Sequence, residues 1–123
     1  MILDQFTYGS TDRLSPEAPA PVFMPEKSML MPGGAANVAL NVKALGAKPV
    51  LYGMIGYDEN AKMLVAILKK EKIKDYLFRE EDRPTILKHR LVARDHHLIR
   101  IDEEKTHPIS AKTEKEIIQK IKR

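Results

Sequence analysis

The residues most capable of chemistry stand together in Pro32-Gly33-Gly34-Ala35-Ala36-Asn37-Val38-Ala39. Adjacent glycines reach backbone angles closed to other residues and let a ligand approach the main chain. A helix is expected immediately after them, so its unpaired amide groups point into the space the glycines leave open. Asn37, in the first turn, brings an amide that both donates and accepts, matching the hydroxyls of a polyol. A tight turn followed by a self-capped helix would use the same residues, and the run alone leaves both readings open. It excludes two others. No Gly-Lys-Ser/Thr follows, as a Walker phosphate loop needs, and the spacing is not Gly-x-Gly-x-x-Gly.

Other reactive groups are sparser. Lys88 and Arg90 alternate with Leu87 and Leu91 and so share one face of an expected strand. Basic side chains there also serve simply to keep an exposed sheet soluble and unpaired. His96 and His97 are adjacent and point to opposite faces of an extended chain, while His89 and His107 fall elsewhere. No protein metal site is expected from that spacing, and no Ser-His-Asp or Cys-His constellation emerges.

The elements that must position these residues alternate between strand and helix. Met1 to Tyr8 reads as the end of a strand entering a loop at Gly9 and Ser10, and the proline-rich run Ser15 to Pro21 cannot be helical. Val22–Met24 and Met29–Met31 read as a small edge hairpin across Pro25-Glu26-Lys27. Ala35, Val38, Ala39, Val42 and Leu45 recur at helical spacing, and Gly46 is placed to stop that helix. Pro49 to Ile55 suits a buried parallel strand. Asp58 caps a second helix with Ala61, Leu64, Val65 and Leu68 as its stripe, and a short strand follows near Tyr76–Phe78. Ile86–Arg94 and Leu98–Asp102 alternate about a turn at Asp95-His96, a second hairpin. Ser110 caps a last helix with Ile117, Ile118 and Ile121 as its stripe. The expected fold is therefore α/β: a parallel sheet with helices, plus a separate small β flap of two hairpins.

Composition narrows the function classes. The chain has 123 residues, 43% hydrophobic and 31% charged, the balance of a packed domain or part of one. It has no cysteine, which removes disulfides and thiolate metal sites. No apolar run approaches the roughly 20 residues that span a bilayer, so no membrane partner is expected. The net charge of +4 owes much to Lys115, Lys120, Lys122 and Arg123 on the last helix, without interleaved aromatics. A solvated helix face accounts for them, and no nucleic-acid partner is expected.

Gly33-Gly34-Ala35-Ala36-Asn37-Val38-Ala39 resembles the N-terminal signature of PfkB/ribokinase-type carbohydrate kinases. The flanking text resembles the heptose-phosphate kinase branch of that family: Leu3-Asp4, Tyr8-Gly9, Arg13 to Val22, Leu45-Gly46-Ala47, Gly53 to Asp58, Arg83-Pro84-Thr85, Lys88, Arg90 and Leu98 to Asp102. The resemblance runs from Met1 to about Glu104. It implies a ribokinase-like fold in which the hairpins, about 10–32 and 83–102, form a lid over the sugar. Asp4 matches the acid that holds sugar hydroxyls; read without the resemblance, it is a carboxylate capping nearby amides. Gly33 and Gly34 match the hinge and backbone contact, and Asn37 the hydroxyl-binding amide. Lys88 and Arg90 would meet an anionic sugar such as heptose 7-phosphate, since Arg binds phosphate bidentately.

The resemblance further implies ATP and Mg²⁺ as reactants and a homodimer paired through the β lid, while the absence of cysteine fits a reducing cytoplasm. The family's catalytic Gly-Ala-Gly-Asp-like motif does not occur in these residues. The expectation is that 1–123 form the N-terminal part of one kinase domain, its C-terminal half absent and its first strand clipped, with no catalytic residue and no turnover alone. Two alternatives stay open: another sugar or nucleoside kinase of the family, or a non-catalytic sugar-binding or dimerising module.

Overall fold

The computed structural model describes residues 1–122; Arg123, counted above with the basic residues of the last helix, lies outside them. The elements run β1 (Ile2–Leu14), β2 (Pro21–Gly33), α1 (Ala35–Ala44), β3 (Val50–Ile55), α2 (Glu59–Lys70), β4 (Lys74–Arg79), β5 (Ile86–Ala93), β6 (His96–Glu103) and α3 (Ala111–Ile121). Four strands form one sheet in the order β2-β1-β5-β6, and β3 pairs with β4 in a second, parallel sheet. The α/β class and the two-hairpin flap are both present. The hairpins join through a parallel β1–β5 pairing into a single sheet, with Ile2 opposite Ile86 and Gly9 opposite Ala93.

The first hairpin differs from the sequence reading. Gly9 and Ser10 do not begin a loop, and Pro25-Glu26-Lys27 does not turn the chain. β1 and β2 are single long strands paired antiparallel from Ile2↔Gly33 to Leu14↔Pro21, and the proline-rich segment is the connection between them. Ser15 N–H closes that loop on Ala20 O at 2.8 Å. Gly9 faces Pro25 beside a register shift, so the residues that looked like punctuation mark a β-bulge. A proline is tolerated there because β2 is an edge strand. The second hairpin turns one residue earlier than expected. Arg94 and Asp95 hold φ of 47° and 65°, and His96 already pairs with Ala93. Two left-handed residues make the tight turn that matches strand twist.

The core gathers Leu51 and Ile55 of β3, Ala61, Leu64 and Leu68 of α2, Ala36 and Ala39 of α1, and Leu3 and Leu87 from the base of the flap. α2 buries the face its spacing predicted, with Asp58 Oδ1 accepting from Ala61 N–H at 2.8 Å as its cap. α1 does not. Its buried residues are Ala36 and Ala39, while Val38 and Leu45 of the expected stripe are 59% and 87% exposed. Small residues let α1 approach the flap closely; Leu40 packs against the core, while Val38 and Leu45 face away. In α3 only Ile117 of the expected stripe is half-buried, with Ile118 and Ile121 exposed. That helix lies by β4, where Lys120 Nζ sits 4.6 Å from the Tyr76 ring centroid.

These differences make a paired prediction. Leu64→Ala empties a fully buried site and should lower stability to urea by roughly 2–5 kcal/mol. Val38→Ala should change it by less than about 0.5 kcal/mol. Comparable losses in the two variants would contradict the observed face of α1.

Candidate functional site

The parallel pairing of β1 with β5 places chemically active residues in rows across one face of the four-stranded sheet. Met31, Asp4, Lys88 and Asp102 are cross-strand neighbours; Met29, Phe6, Arg90 and Arg100 form the next row. Arg90 Nη1 donates to Asp4 Oδ1 at 2.5 Å, and the guanidinium lies over the Phe6 ring, 5.0 Å from its centroid. Tyr8 and His97 flank Phe6, each with centroids 6.4 Å away. Lys88 Nζ donates to Asp102 Oδ2 at 2.9 Å and lies 3.5 Å from Glu104 Oε2. Arg100 grips the same carboxylate with Nε and Nη2, at 2.8 and 2.9 Å. Hydrogen bonds from Lys88 and then Arg100 hold Asp102 below the usual carboxylate range, and the bond to Asp102 raises Arg100.

The glycine turn borders this face. A Cβ on Gly33 would collide with the Asp4 carboxylate and, at 2.7 Å, with Ile2 Cγ2, so only glycine fits under that acid. Gly34 follows with φ 53° and ψ −127°, stands as N-cap of α1, and gives the helix no side-chain cap. The first amides of α1 are thereby left without a capping side chain. Asn37 is exposed in that first turn, and its carbonyl accepts from Asn41 Nδ2 at 3.1 Å. The fold thus brings Asp4, Gly33 and Arg90 into contact, with Lys88 beside them, Gly34 next in chain and Asn37 one turn away. The sequence reading did not select Phe6, Arg100 or Asp102. The alternation of β6 set Arg100 and Asp102 on one side, but only the register puts that side next to Lys88 and Arg90.

A hydrogen-bonded hinge anchors the flap. Asp58 Oδ2 accepts from Thr85 N–H at 2.7 Å, and Thr85 Oγ1 accepts from Gly56 N–H at 2.9 Å. A Cβ on Gly56 would meet Arg83 O at 2.7 Å. Desolvation raises Asp58, but the amides of Thr85 and Ala61 outweigh it and hold the acid below its usual value. Arg83, in turn, donates to the carbonyls of Lys105 and His107. Entry to β5 and exit from β6 are therefore tied at one place.

Glu80, Asp82 and His107 also meet there, with ligand atoms within 4.8 Å of one another, a grouping the histidine spacing did not reveal. It does not fit Mg²⁺, which favours oxygen ligands. Glu80 Oε1 accepts from Ser110 N–H at 2.9 Å and from Thr113 Oγ1 at 2.8 Å, and its Oε2 from Arg83 Nε at 3.3 Å. His107 Nε2 faces Asp82 Oδ2 at 3.1 Å. The carboxylates are spent on the hinge and on α3. A cavity of about 480 Å³ opens at this end, away from the charged flap face.

The description "pfkB family carbohydrate kinase" matches residues 7–122. The chain belongs to that family. The "Bifunctional protein HldE" of Hyphomonas neptunium is 45% identical over 119 residues, 96% of this chain and 24% of that protein. The protein of the same name from Chromohalobacter salexigens is 46% identical over 106 residues, 86% of this chain and 22% of its own length. The chain thus spans less than a quarter of these curated relatives. Phosphofructokinase-2 from Escherichia coli, solved with substrates and products, superposes with a TM-score of 0.70 at 16% identity. That match covers 98% of this chain and 37% of that one, and carries the ribokinase-like fold. The flap of this pfkB-family chain is the four-stranded sheet that carries Asp4, Lys88 and Arg90. No helix among the described residues is long and apolar enough to cross a membrane.

The hinge makes a pH prediction. Glu80 titrates at about 2 rather than 4.5, because Ser110 N–H and then the Thr113 hydroxyl donate to its ionised form. A carboxylate held below its unfolded value stabilises the fold fully above that value, and the contribution is lost as pH falls through the folded one. Protection of the Ser110 and Thr113 amides, measured against their intrinsic exchange rates, should therefore fall between pH 4.5 and about 2. Glu80→Gln should remove that acid-dependent step. Unaltered protection across the window would contradict the latch.

Proposed function

We propose that this chain is the sugar-holding part of a kinase that transfers the γ-phosphoryl group of ATP to heptose 7-phosphate, in the synthesis of ADP-heptose for lipopolysaccharide. The observation that carries the reading is the lid face itself, where Asp4 abuts Gly33 at the uncapped start of α1 and Lys88 and Arg90 lie alongside. Resemblance to the heptose-phosphate branch supplies the particular sugar. A carboxylate that only accepts and an amide that also donates are the pair a polyol needs. In this reading Asp4 and Asn37 take sugar hydroxyls, and Gly33 and Gly34 offer the main chain and a bend. Lys88 and Arg90 form the basic side of the site, Arg90 also holding the Asp4 carboxylate in place.

ATP and Mg²⁺ are the family's reactants, and their chemistry is phosphoryl transfer with charge neutralisation at the phosphates. Nothing in the hinge grouping of Glu80, Asp82 and His107 suits that role, so no step is assigned to it. A Gly-Ala-Gly-Asp-like motif does not occur in these 123 residues, so this segment is given sugar binding and no proton abstraction. The reaction is placed in the cytoplasm, where ATP and sugar phosphates are supplied. A homodimer through the lid is part of the proposal. Leu30, Ile99 and Ile101, on the face opposite Asp4, are 38%, 55% and 46% exposed, and β2 and β6 present free sheet edges.

Calorimetric titration tests the reading. The 123-residue chain should bind heptose 7-phosphate, and Asp4→Ala should weaken that binding about tenfold or more, the value of a hydrogen bond to a charged group. No ADP should form when ATP and Mg²⁺ are added. Sugar-dependent ADP formation would show that the segment holds its own base, and absence of sugar binding would remove the assignment.

A further inference from the structure

The two arginines of the lid face are in different situations. Arg90 is committed: its side chain is 18% exposed, paired with Asp4, stacked on Phe6, and within 3.4 Å of the Lys88 carbonyl. Arg100, directly opposite on β6, is 52% exposed. It spends two N–H groups on Asp102 and keeps the rest of its guanidinium toward solvent. Lys88 Nζ and Arg100 Nη2 both donate to one atom, Asp102 Oδ2, each at 2.9 Å. Two cationic heads converging on a single anionic oxygen is the arrangement a phosphate oxygen requires.

The charges around this point constrain what can bind. Lys88, Arg90 and Arg100 are balanced by Asp4, Asp102 and Glu104, so the face carries no large excess of positive charge. A free polyanion gains little there, while a ligand with one phosphate and several hydroxyls matches both ends. Glu104 is the most loosely held acid, 3.5 Å from Lys88 and 37% exposed. It is the group an arriving phosphate displaces with least loss.

Resting on the sugar-phosphate reading of this face, we propose that Lys88 and Arg100 form the clamp for the phosphate already on the sugar, gathered by Asp102. Arg90 serves the hydroxyl end through Asp4. The clamp lies across the sheet on the β5–β6 hairpin, and the hydroxyl groups lie on β1 and at the start of α1. The phosphate end of the sugar is therefore bound along the lid, away from the glycine turn.

Calorimetric titration of the chain with heptose 7-phosphate and with the unphosphorylated heptose separates the roles. The unsubstituted protein should bind the phosphate ester more tightly. Arg100→Ala should weaken the ester about tenfold or more and erase most of the preference, because it removes charge-assisted bonds that only the phosphate makes. Arg100→Lys should restore part of it. Arg90→Ala should weaken both sugars alike. An Arg100→Ala protein that still prefers the ester to the original degree would overturn the clamp and leave the sugar site standing. Failure of the unsubstituted protein to bind either sugar would sink both.

Discussion

The parallel pairing of β1 with β5 joins segments that are far apart in the chain, with Asp4 set opposite Lys88 and Phe6 opposite Arg90. Neither hairpin alone places an acid beside the basic residues. Closing so long a connection costs chain entropy, which grows slowly with loop length but must be recovered by contacts. Here the intervening chain is not slack. It folds into α1, β3, α2 and β4, and its end is fastened by Asp58 to Thr85 and by Gly56 to the same threonine. A slip of one residue in the β1–β5 register would send Asp4 to the opposite face and leave Arg90 without its partner.

The ion pairs on the lid face order the site more than they hold the fold together. Asp4 and Arg90 are each about four-fifths covered, and the pair at Asp102 is more open. Partly exposed pairs of this kind add little to stability, because solvent screens them. Their effect is geometric: each carboxylate is presented in a fixed orientation, and each cation is kept from wandering. The Phe6 ring adds a flat apolar support under Arg90, leaving that guanidinium fewer directions in which to turn.

Local features were legible before any coordinates. Gly46 ends α1 with φ 89°, and Asp58 and Ser110 cap their helices by accepting from Ala61 and Thr113. These signals involve neighbours in sequence, so residue type decides them. Gly9 and Pro25 misled because a bulge and a turn call for the same residues, and the difference lies in whether a partner strand continues. The α1 stripe misled for another reason. Periodicity marks which residues are apolar, but Ala36, outside the stripe, is buried where the flap comes close, while Val38 and Leu45 of the stripe stay exposed. Of the site, Gly33, Gly34, Asn37, Lys88 and Arg90 were readable as separate candidates, and Asp4 only through the family resemblance. Arg100, Asp102 and Phe6 entered only through cross-strand register, which no single segment encodes.

The lid sheet has two faces of different character: charged and aromatic around Asp4 and Arg90, hydroxyl and aliphatic around Thr7, Ser28, Leu91 and Ile99. On the second face Thr7 bonds to both Ser28 and His89, at 2.7 and 2.8 Å, using polar groups internally and leaving them little to offer a ligand. The central claim is that the sugar phosphate lies on the first face. Amide and side-chain chemical-shift mapping during titration with heptose 7-phosphate tests it directly. The account predicts the largest shifts at Asp4, Gly33, Gly34, Asn37, Lys88 and Arg100, with Thr7, Ser28 and His89 little moved. Shifts concentrated on Thr7, Ser28 and His89, or around Glu80 and His107, would contradict it.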